Sequence, residues 1–508
     1  MTAALRRVFQ PLALTMSIGA ETAGSQAVEW QPGTVEAYFV HRGVGLSSRS
    51  RYESVRIGRE SFKRQRAFSI GTPDKRILEK DIGMGIRCHI PLVLYLPAAP
   101  PGSFPPQFEA LQAALSAIEP EQNRADRADT RLAAVIYAWN ILRHFYPYQD
   151  AMRAGWEAAL RESLAAAITT GAGTLGGMEI LARLLEKLQD GHAGLNHPAN
   201  PDTLYPYFLT TLVEDKIVAT YSRAEEVKPG DVILEVDGQD ARQQLDSAMA
   251  LISGSPQWKR AKALQWWSLW GKDSEPLCRL KIRRGKEELA VQTKRLWYWA
   301  LKILKEICRE AFYEIEEGYY YCNLERLSKE QFEGRLEELA RAKGVVFDLR
   351  GYPKIHKQFL CHLIDEPAES AYFKTPIVYY PDREEPITYE TTRWNLPPEK
   401  PRIKGKVAFL TDGSAMSYSE SLLAIVRHYG LGTIIGTPTA GANGNVNGFR
   451  APGGYSISFT GMLVLQHDGS QHHLIGIRPD IYLEPTLEGI QQGRDELLEK
   501  AVEVVKEE

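Results

Sequence analysis

The reading of the fold turns on Lys406-Val407-Ala408-Phe409-Leu410-Thr411-Asp412-Gly413-Ser414-Ala415-Met416-Ser417-Tyr418-Ser419-Glu420 and its continuation to Gly432-Thr433-Ile434-Ile435-Gly436. The first six residues are an apolar run of strand length, and a loop of small residues follows. Apolar positions at helical spacing then run over Ser419–Tyr429, before a third short apolar run. Strand–helix–strand order implies a parallel sheet, and functional residues gather at the C-terminal ends of such strands. Ser417 stands there, at the step from loop to helix. A serine so placed is either a plain N-cap or an exposed nucleophile with helix amides aimed at developing negative charge.

Upstream, Gly344-Val345-Val346-Phe347-Asp348-Leu349-Arg350 reads as another buried strand with a polar exit, and strands alternate with helices from about Lys305 onward. From Leu204 to Lys294 the pattern is short strands. Val227-Lys228-Pro229-Gly230-Asp231-Val232-Ile233-Leu234-Glu235-Val236-Asp237-Gly238 has an entry turn, an alternating strand and an Asp-Gly turn. That core resembles a PDZ domain, with Ser255–Lys272 as an enlarged helix; such a fold takes extended peptides by strand addition. Before it, apolar spacing predicts helices over Arg131–Leu142, Trp156–Ala167 and Met178–Gln189. The last runs into Asp190-Gly191-His192-Ala193-Gly194, which leaves His192 on a loop. Residues 97–106 (PAAPPGSFPP) read as a linker, and the Val-, Ile- and Tyr-rich text before it as a small β unit.

These segments give a multidomain α+β chain. The expected divisions are 1–28 as a signal or disordered start, 29–97 as a β-rich accessory domain and 98–107 as linker. A helical domain follows at 108–203, a PDZ-like domain at 204–296 and an α/β catalytic domain at 297–508. A chain of 508 residues exceeds one hydrophobic core, in line with several units. Sixty-one Lys and Arg against 64 Asp and Glu leave a net charge of −3, which offers nucleic acid no footprint. No apolar run reaches the roughly 20 residues of a membrane helix. Arg6-Arg7 before the apolar stretch Val8–Ala20 has the order of a secretory signal, which would place the protein in the periplasm or outside the cell; without one it is cytoplasmic. The five cysteines are scattered, with no C-x-x-C pair and no disulfide framework.

The run Gly413–Glu420, followed by Gly436-Thr437-Pro438-Thr439-Ala440-Gly441, resembles the carboxy-terminal processing peptidase and tricorn family of serine peptidases. Asp190-Gly191-His192, Phe347-Asp348-Leu349-Arg350-Gly351 and Gly476-Ile477-Arg478-Pro479-Asp480-Ile481 agree with it in the same order. The resemblance covers roughly Arg131 to Val504. It implies a ClpP/crotonase-like spiral for the catalytic domain, Ser417 as nucleophile, and no metal or organic cofactor. The serine–lysine branch of the family carries its base where this chain has Ala442, so the base expected here is His192, as in the tricorn-like branch. That branch also uses a serine beside the histidine and a glutamate before the late G-x-x-P-D-I segment. Here those places hold Gly191 and His473 (or His472), and His473 is the candidate polar relay. Oxyanion donors are expected from the amides of Tyr418 and Gly351, although Tyr352-Pro353 departs from the family pattern. Asp348, Arg350 and Glu420 are expected to be structural charges held in pairs.

The function implied is endopeptidase cleavage of polypeptides, including C-terminal or unfolded segments. The partner is a polypeptide substrate, with self-association into a homo-oligomer left open. The alternative is a catalytically silent relative that binds peptides or apolar ligands through the same fold.

Overall fold

The computed structural model describes residues 124–507 apart from 154, 170–173, 200–202, 267–270, 273–275, 355–356, 379 and 381–386; before residue 124 it describes 15–18, 34–44, 52–58, 77–81, 86–97 and 113. The linker expected at 98–107, and most of the expected signal segment, lie outside the described residues. Residues Thr15–Ile18 are an outer strand paired with Ile86–Pro91.

The N-terminal strands β1 (Thr34–Arg42), β2 (Glu53–Gly58) and β3 (Val93–Pro97) pair with one another. Among the described residues they also join the C-terminal region. At its far end β1 pairs with residues 377–378 of the C-terminal region. Tyr52 is buried against Phe373, Met462 and Val464 and donates its hydroxyl to Asn445 O at 2.6 Å.

Helices α1 (Ala128–Phe145), α2 (Trp156–Thr169) and α3 (Thr174–Glu186) occupy the predicted positions. Strand β4 (Gly194–Asn196) follows the His192 loop. The next unit is an antiparallel sheet of β5 (Phe208–Val213), β6 (Lys216–Ser222), β7 (Val232–Val236), β8 (Leu277–Arg284) and β9 (Glu287–Trp297), in the spatial order β9-β8-β7-β6-β5. The Asp237-Gly238 turn has positive φ at both residues, 51° and 79°, as a tight hairpin turn requires. Between β7 and β8 lie α4 (Ala241–Met249) and α5 (Pro256–Trp266), the enlarged helix of the sequence reading.

The C-terminal sheet contains β10 (Phe312–Glu316), β11 (Tyr319–Asn323), β12 (Gly344–Asp348), β15 (Lys406–Thr411), β16 (Thr433–Gly436) and β20 (Ile481–Tyr482), in the order β10-β11-β12-β15-β16-β20. Only the β10–β11 pair is antiparallel. Strand alternation splits the core in two. Val345, Phe347 and Phe409 face α6 (Tyr418–Tyr429), while Val346, Ala408 and Leu410 face α7 (Glu496–Lys506) through Leu497, Ala501 and Val505. Between β12 and β15, strands β13 (Tyr372–Val378) and β14 (Thr388–Thr392) leave this sheet and join the N-terminal strands.

One hairpin ties the helical and C-terminal regions together. Strands β17 (Val446–Ala451) and β18 (Tyr455–Thr460) pair with each other, and β18 also pairs with β4. Their Phe449, Tyr455, Ile457 and Phe459 share one core with Trp139, Leu142, Leu181, Leu184 and Leu188 of the helical region. This packing brings the His192 loop to the C-terminal region although a complete antiparallel sheet separates them in sequence. Strand β19 (Leu463–Leu465) continues onto β13. Among the described residues no helix is long and apolar enough to cross a membrane.

Candidate active site

Ser417 occupies the residue before α6 with φ 54° and ψ −102°, a region that side chains other than glycine rarely adopt. Such strain, of order 1–3 kcal/mol, persists only where the surroundings hold it. The holder is Glu420. Its fully buried carboxylate accepts from the Ser417 amide (3.1 Å), Thr439 Oγ1 (2.6 Å), the Gly441 amide (2.7 Å) and the Ala442 amide (3.0 Å), and lies 3.2 Å from His472 Nε2. Burial opposes charge on Glu420, but His472 and these donors outweigh it and hold its pKa below the ordinary value. The Ser417 amide also donates to Ala442 O at 2.9 Å. Glu420 is thus the clamp of the elbow, the structural part expected of it.

His192 is oriented by two residues far apart in sequence. Asp190, fully buried, accepts from the His192 amide (3.0 Å), Thr460 Oγ1 (2.6 Å) and the Thr460 amide (2.6 Å). Thr460 Oγ1 also lies 2.8 Å from His192 Nδ1. A hydroxyl has one hydrogen, and the carboxylate oxygen can only accept it. Thr460 therefore donates to Asp190 and accepts from Nδ1–H, which leaves the lone pair of the neutral ring on Nε2. Strand register explains the meeting: β18 pairs Ser458 with Gly194, and Thr460 and His192 lie two residues further along the same face. Burial lowers the His192 pKa; Asp190 and Glu420 oppose that effect, and Lys262 adds to it.

The two loops meet at Gly191 and Ala442. A Cβ on Gly191 would stand 2.4 Å from the Cβ of Ala442 and 3.2 Å from the Trp258 ring. The start of α5 fastens the same place: Ser255, just before the helix, donates Oγ–H to Ala440 O at 2.6 Å, and Gln257 donates Nε2–H to Thr439 O at 3.0 Å. Among the described residues no hydrogen bond joins Ser417 to the His192 ring. Ser417 opens into a solvent-connected cleft of ≈ 370 Å³ walled by Tyr352, Phe373, Trp394, Tyr418 and Asn443, and His192 is not on that wall.

Two expectations need correction. The Gly351 amide donates to Leu349 O at 2.9 Å, so it is spent within its own loop. Glu325 packs behind it, with its carboxylate on the side of the Tyr352 amide. Among the described residues His473 makes no hydrogen bond to Ser417 or His192. It is buried among aromatics, with Nε2 3.2 Å from the Tyr146 hydroxyl and its ring 4.0 Å from Tyr148, and burial lowers its pKa to about 4. Thr460, which the sequence reading missed, stands where a relay is needed, and Asp190 is more than the cap of a turn. The signal available was the alternation Ser456, Ser458, Thr460 on one face of a strand. Asp348 and Arg350 are paired as expected, at 2.7 Å, with Asp495 completing the group. Among the described residues no group of three or more His, Cys, Asp or Glu side chains converges as a metal site.

Residues 318–483, which span β11 to β20 and contain Ser417, match the profile of Peptidase family S41. The resemblance read from the motifs agrees with this match, which lies in the C-terminal part of the chain. Solved structures agree on the fold. Mature CPAF complexed with lactacystin superposes with a TM-score of 0.58 at 15% identity, over 75% of this chain and 98% of that one. A mutant of CPAF gives 0.59 at 16%, over 75% and 97%. Comparison with curated proteins by sequence finds no match.

Proposed function

We propose that the protein is a serine endopeptidase acting on extended polypeptides, with Ser417 as nucleophile and His192 as general base. The observation that carries this reading is the chain Asp190–Thr460–His192, which leaves Nε2 as the proton acceptor. As Ser417 Oγ attacks a substrate carbonyl, its proton passes to His192 Nε2, and the Oγ–C bond forms while the carbonyl pair moves to oxygen. Collapse restores the carbonyl and breaks the C–N bond, with the His192 proton leaving on the amine. Water then repeats the sequence on the acyl-enzyme. The Tyr418 amide, first in α6, faces the developing oxyanion. Polypeptide C-termini and unfolded segments suit the cleft, and the PDZ-like unit is proposed to present them by strand addition.

A fluorophosphonate probe tests this directly. Labelling of the wild type that disappears in both Ser417→Ala and His192→Ala supports the assignment; folded wild-type protein that neither labels nor cleaves any peptide of a library overturns it. One observation favours a second reading, a peptide or apolar-ligand binder without catalysis. The Gly351 amide is occupied by Leu349 O, which leaves the expected oxyanion site one donor short.

A further inference from the structure

We propose that the side-chain amide of Asn443 supplies the second oxyanion donor, an inference that rests on Ser417 being the nucleophile. The loop after β12 has no amide to give: Gly351 N–H is bonded to Leu349 O, Tyr352 N–H is turned to Glu325, and Pro353 has none. Asn443 lies on the wall of the same cleft as Ser417 and Tyr418 and is only 4% exposed. Its Oδ1 accepts from the Gly444 amide at 2.7 Å and from Ser421 Oγ at 3.1 Å. A backbone N–H can only donate, so the end of the side chain facing Gly444 is the oxygen, and the orientation of the amide is settled. Nδ2 is left for the cleft, and among the described residues nothing accepts from it.

Nδ2 opens onto the cleft, where an oxygen of a bound reactant can accept from it. Ser421 Oγ stands between Asn443 Oδ1 at 3.1 Å and Ser417 O at 3.2 Å and has one hydrogen to give to either, which keeps Asn443 beside the peptide group of Ser417. Helix α6 supplies both braces, the Tyr418 amide at its start and Ser421 one turn on, which fixes the donors relative to Oγ. In the tetrahedral intermediate the carbonyl pair resides on oxygen; Nδ2–H and the Tyr418 N–H donate to that oxygen until collapse returns the pair and expels the amine. No further reactant is required.

The test uses the full chain and two variants. Asn443→Asp keeps the volume and the acceptor for Gly444 and Ser421 but removes the donor; Asn443→Ala removes the group. The measured quantities are the rate of fluorophosphonate labelling and the affinity for a peptide boronic acid, whose adduct with a serine is tetrahedral. Labelling is expected to slow by about 10²–10³-fold in both variants, the loss typical of one oxyanion donor. Boronate affinity should fall in parallel, and the pH profile of labelling should not move, because His192 is untouched. Should Asn443→Ala lose its fold, Asn443→Asp decides. Labelling within twofold of wild type in Asn443→Asp, or slow labelling with unchanged boronate affinity, overturns the proposal. Loss of labelling in Ser417→Ala alongside wild-type rates in the Asn443 variants sinks this inference alone; wild-type labelling in Ser417→Ala sinks the peptidase assignment beneath it.

Discussion

Gly191 and Ala442 touch so closely that a methyl group on the first would stand 2.4 Å from that of the second. This contact is the seam between the His192 loop and the Ser417 loop, because Ala442 O also accepts from the Ser417 amide. It also explains why Ala442 stands at the position of the lysine base in the serine–lysine branch. The Cβ of Ala442 points into the space between Gly191 and Trp258, where an ammonium stem has no room.

Gly191→Ala tests the seam. No real Cβ tolerates a 2.4 Å neighbour, so one loop must move. Overpacking of this kind typically costs about 1–3 kcal/mol. The expected outcome is a lower melting temperature together with slower fluorophosphonate labelling. Adding Ala442→Gly removes the colliding methyl, and the double variant should recover part of both losses. Equal labelling in the wild type and Gly191→Ala would contradict a tight seam.

Thr460→Val keeps the shape of the side chain and removes the hydroxyl. The Thr460 amide still donates to Asp190, so the strand stays in place while Nδ1–H loses its acceptor. The ring is then free to adopt the wrong tautomer. A fall in kcat of about 10²-fold or more is expected with KM little changed, and Thr460→Ser should restore most of it. If Thr460→Val and Thr460→Ser behave alike, the hydroxyl has no part in the chemistry.

The sheet and the elbow were legible because both depend on local pattern. Val345-Val346-Phe347 and Lys406–Thr411 read as buried strands, and Ser417 stood where one of them gives way to a helix. The partners of His192 were not legible in that way. Thr460 reaches His192 through the pairing of β4 with β18, across more than 260 residues of sequence, and pairing register is a tertiary property. His473 was misread for a related reason. It lies in sequence where an acidic partner is expected, but the aromatic side chains Tyr146 and Tyr148 of the helical region claim it. The N-terminal strands read as a unit because their alternation is local, whereas their pairing with β13 is not.

The pH dependence follows from the environment of His192. Burial lowers its pKa from the ordinary 6.5, with Lys262 acting in the same direction and Asp190 and Glu420 against it. A general base works in its neutral form, so labelling should persist below pH 6.5 before it falls. Lys262→Met removes a nearby positive charge and should move the acidic limb upward. The same shift bears on stability. The unfolded chain takes up this proton near pH 6.5 and the folded chain only at lower pH, so stability falls as the pH drops below that value. A limb above pH 6.5 in the wild type would show that His192 is not the titrating base.

Arg350 is the test of the charges beneath the strand ends. Its guanidinium donates to Asp348 at 2.7 Å and to Asp495 at 2.7 Å, and Tyr321 donates to Asp348 at 2.6 Å. Burial opposes charge on Asp348, but Arg350 and Arg309 hold its pKa far below the usual carboxylate range. The network joins the end of β12 to the start of α7, since Asp495 also caps that helix through the Leu498 amide at 3.2 Å. Arg350→Met strands two carboxylates, one of them fully enclosed, and leaves Asp348 with the Tyr321 hydroxyl and, as nearby cation, Arg309 at 3.7 Å. Breaking a buried pair from one side typically costs about 3–5 kcal/mol, far more than the net worth of the pair itself. A correspondingly large drop in the unfolding midpoint of the C-terminal domain is expected. Replacing Asp348 by Leu in the same background removes the stranded charge and should regain a sizeable part of that drop. If Arg350→Met unfolds at the wild-type midpoint, the buried charges are solvated in some other way and the network does not hold these elements together.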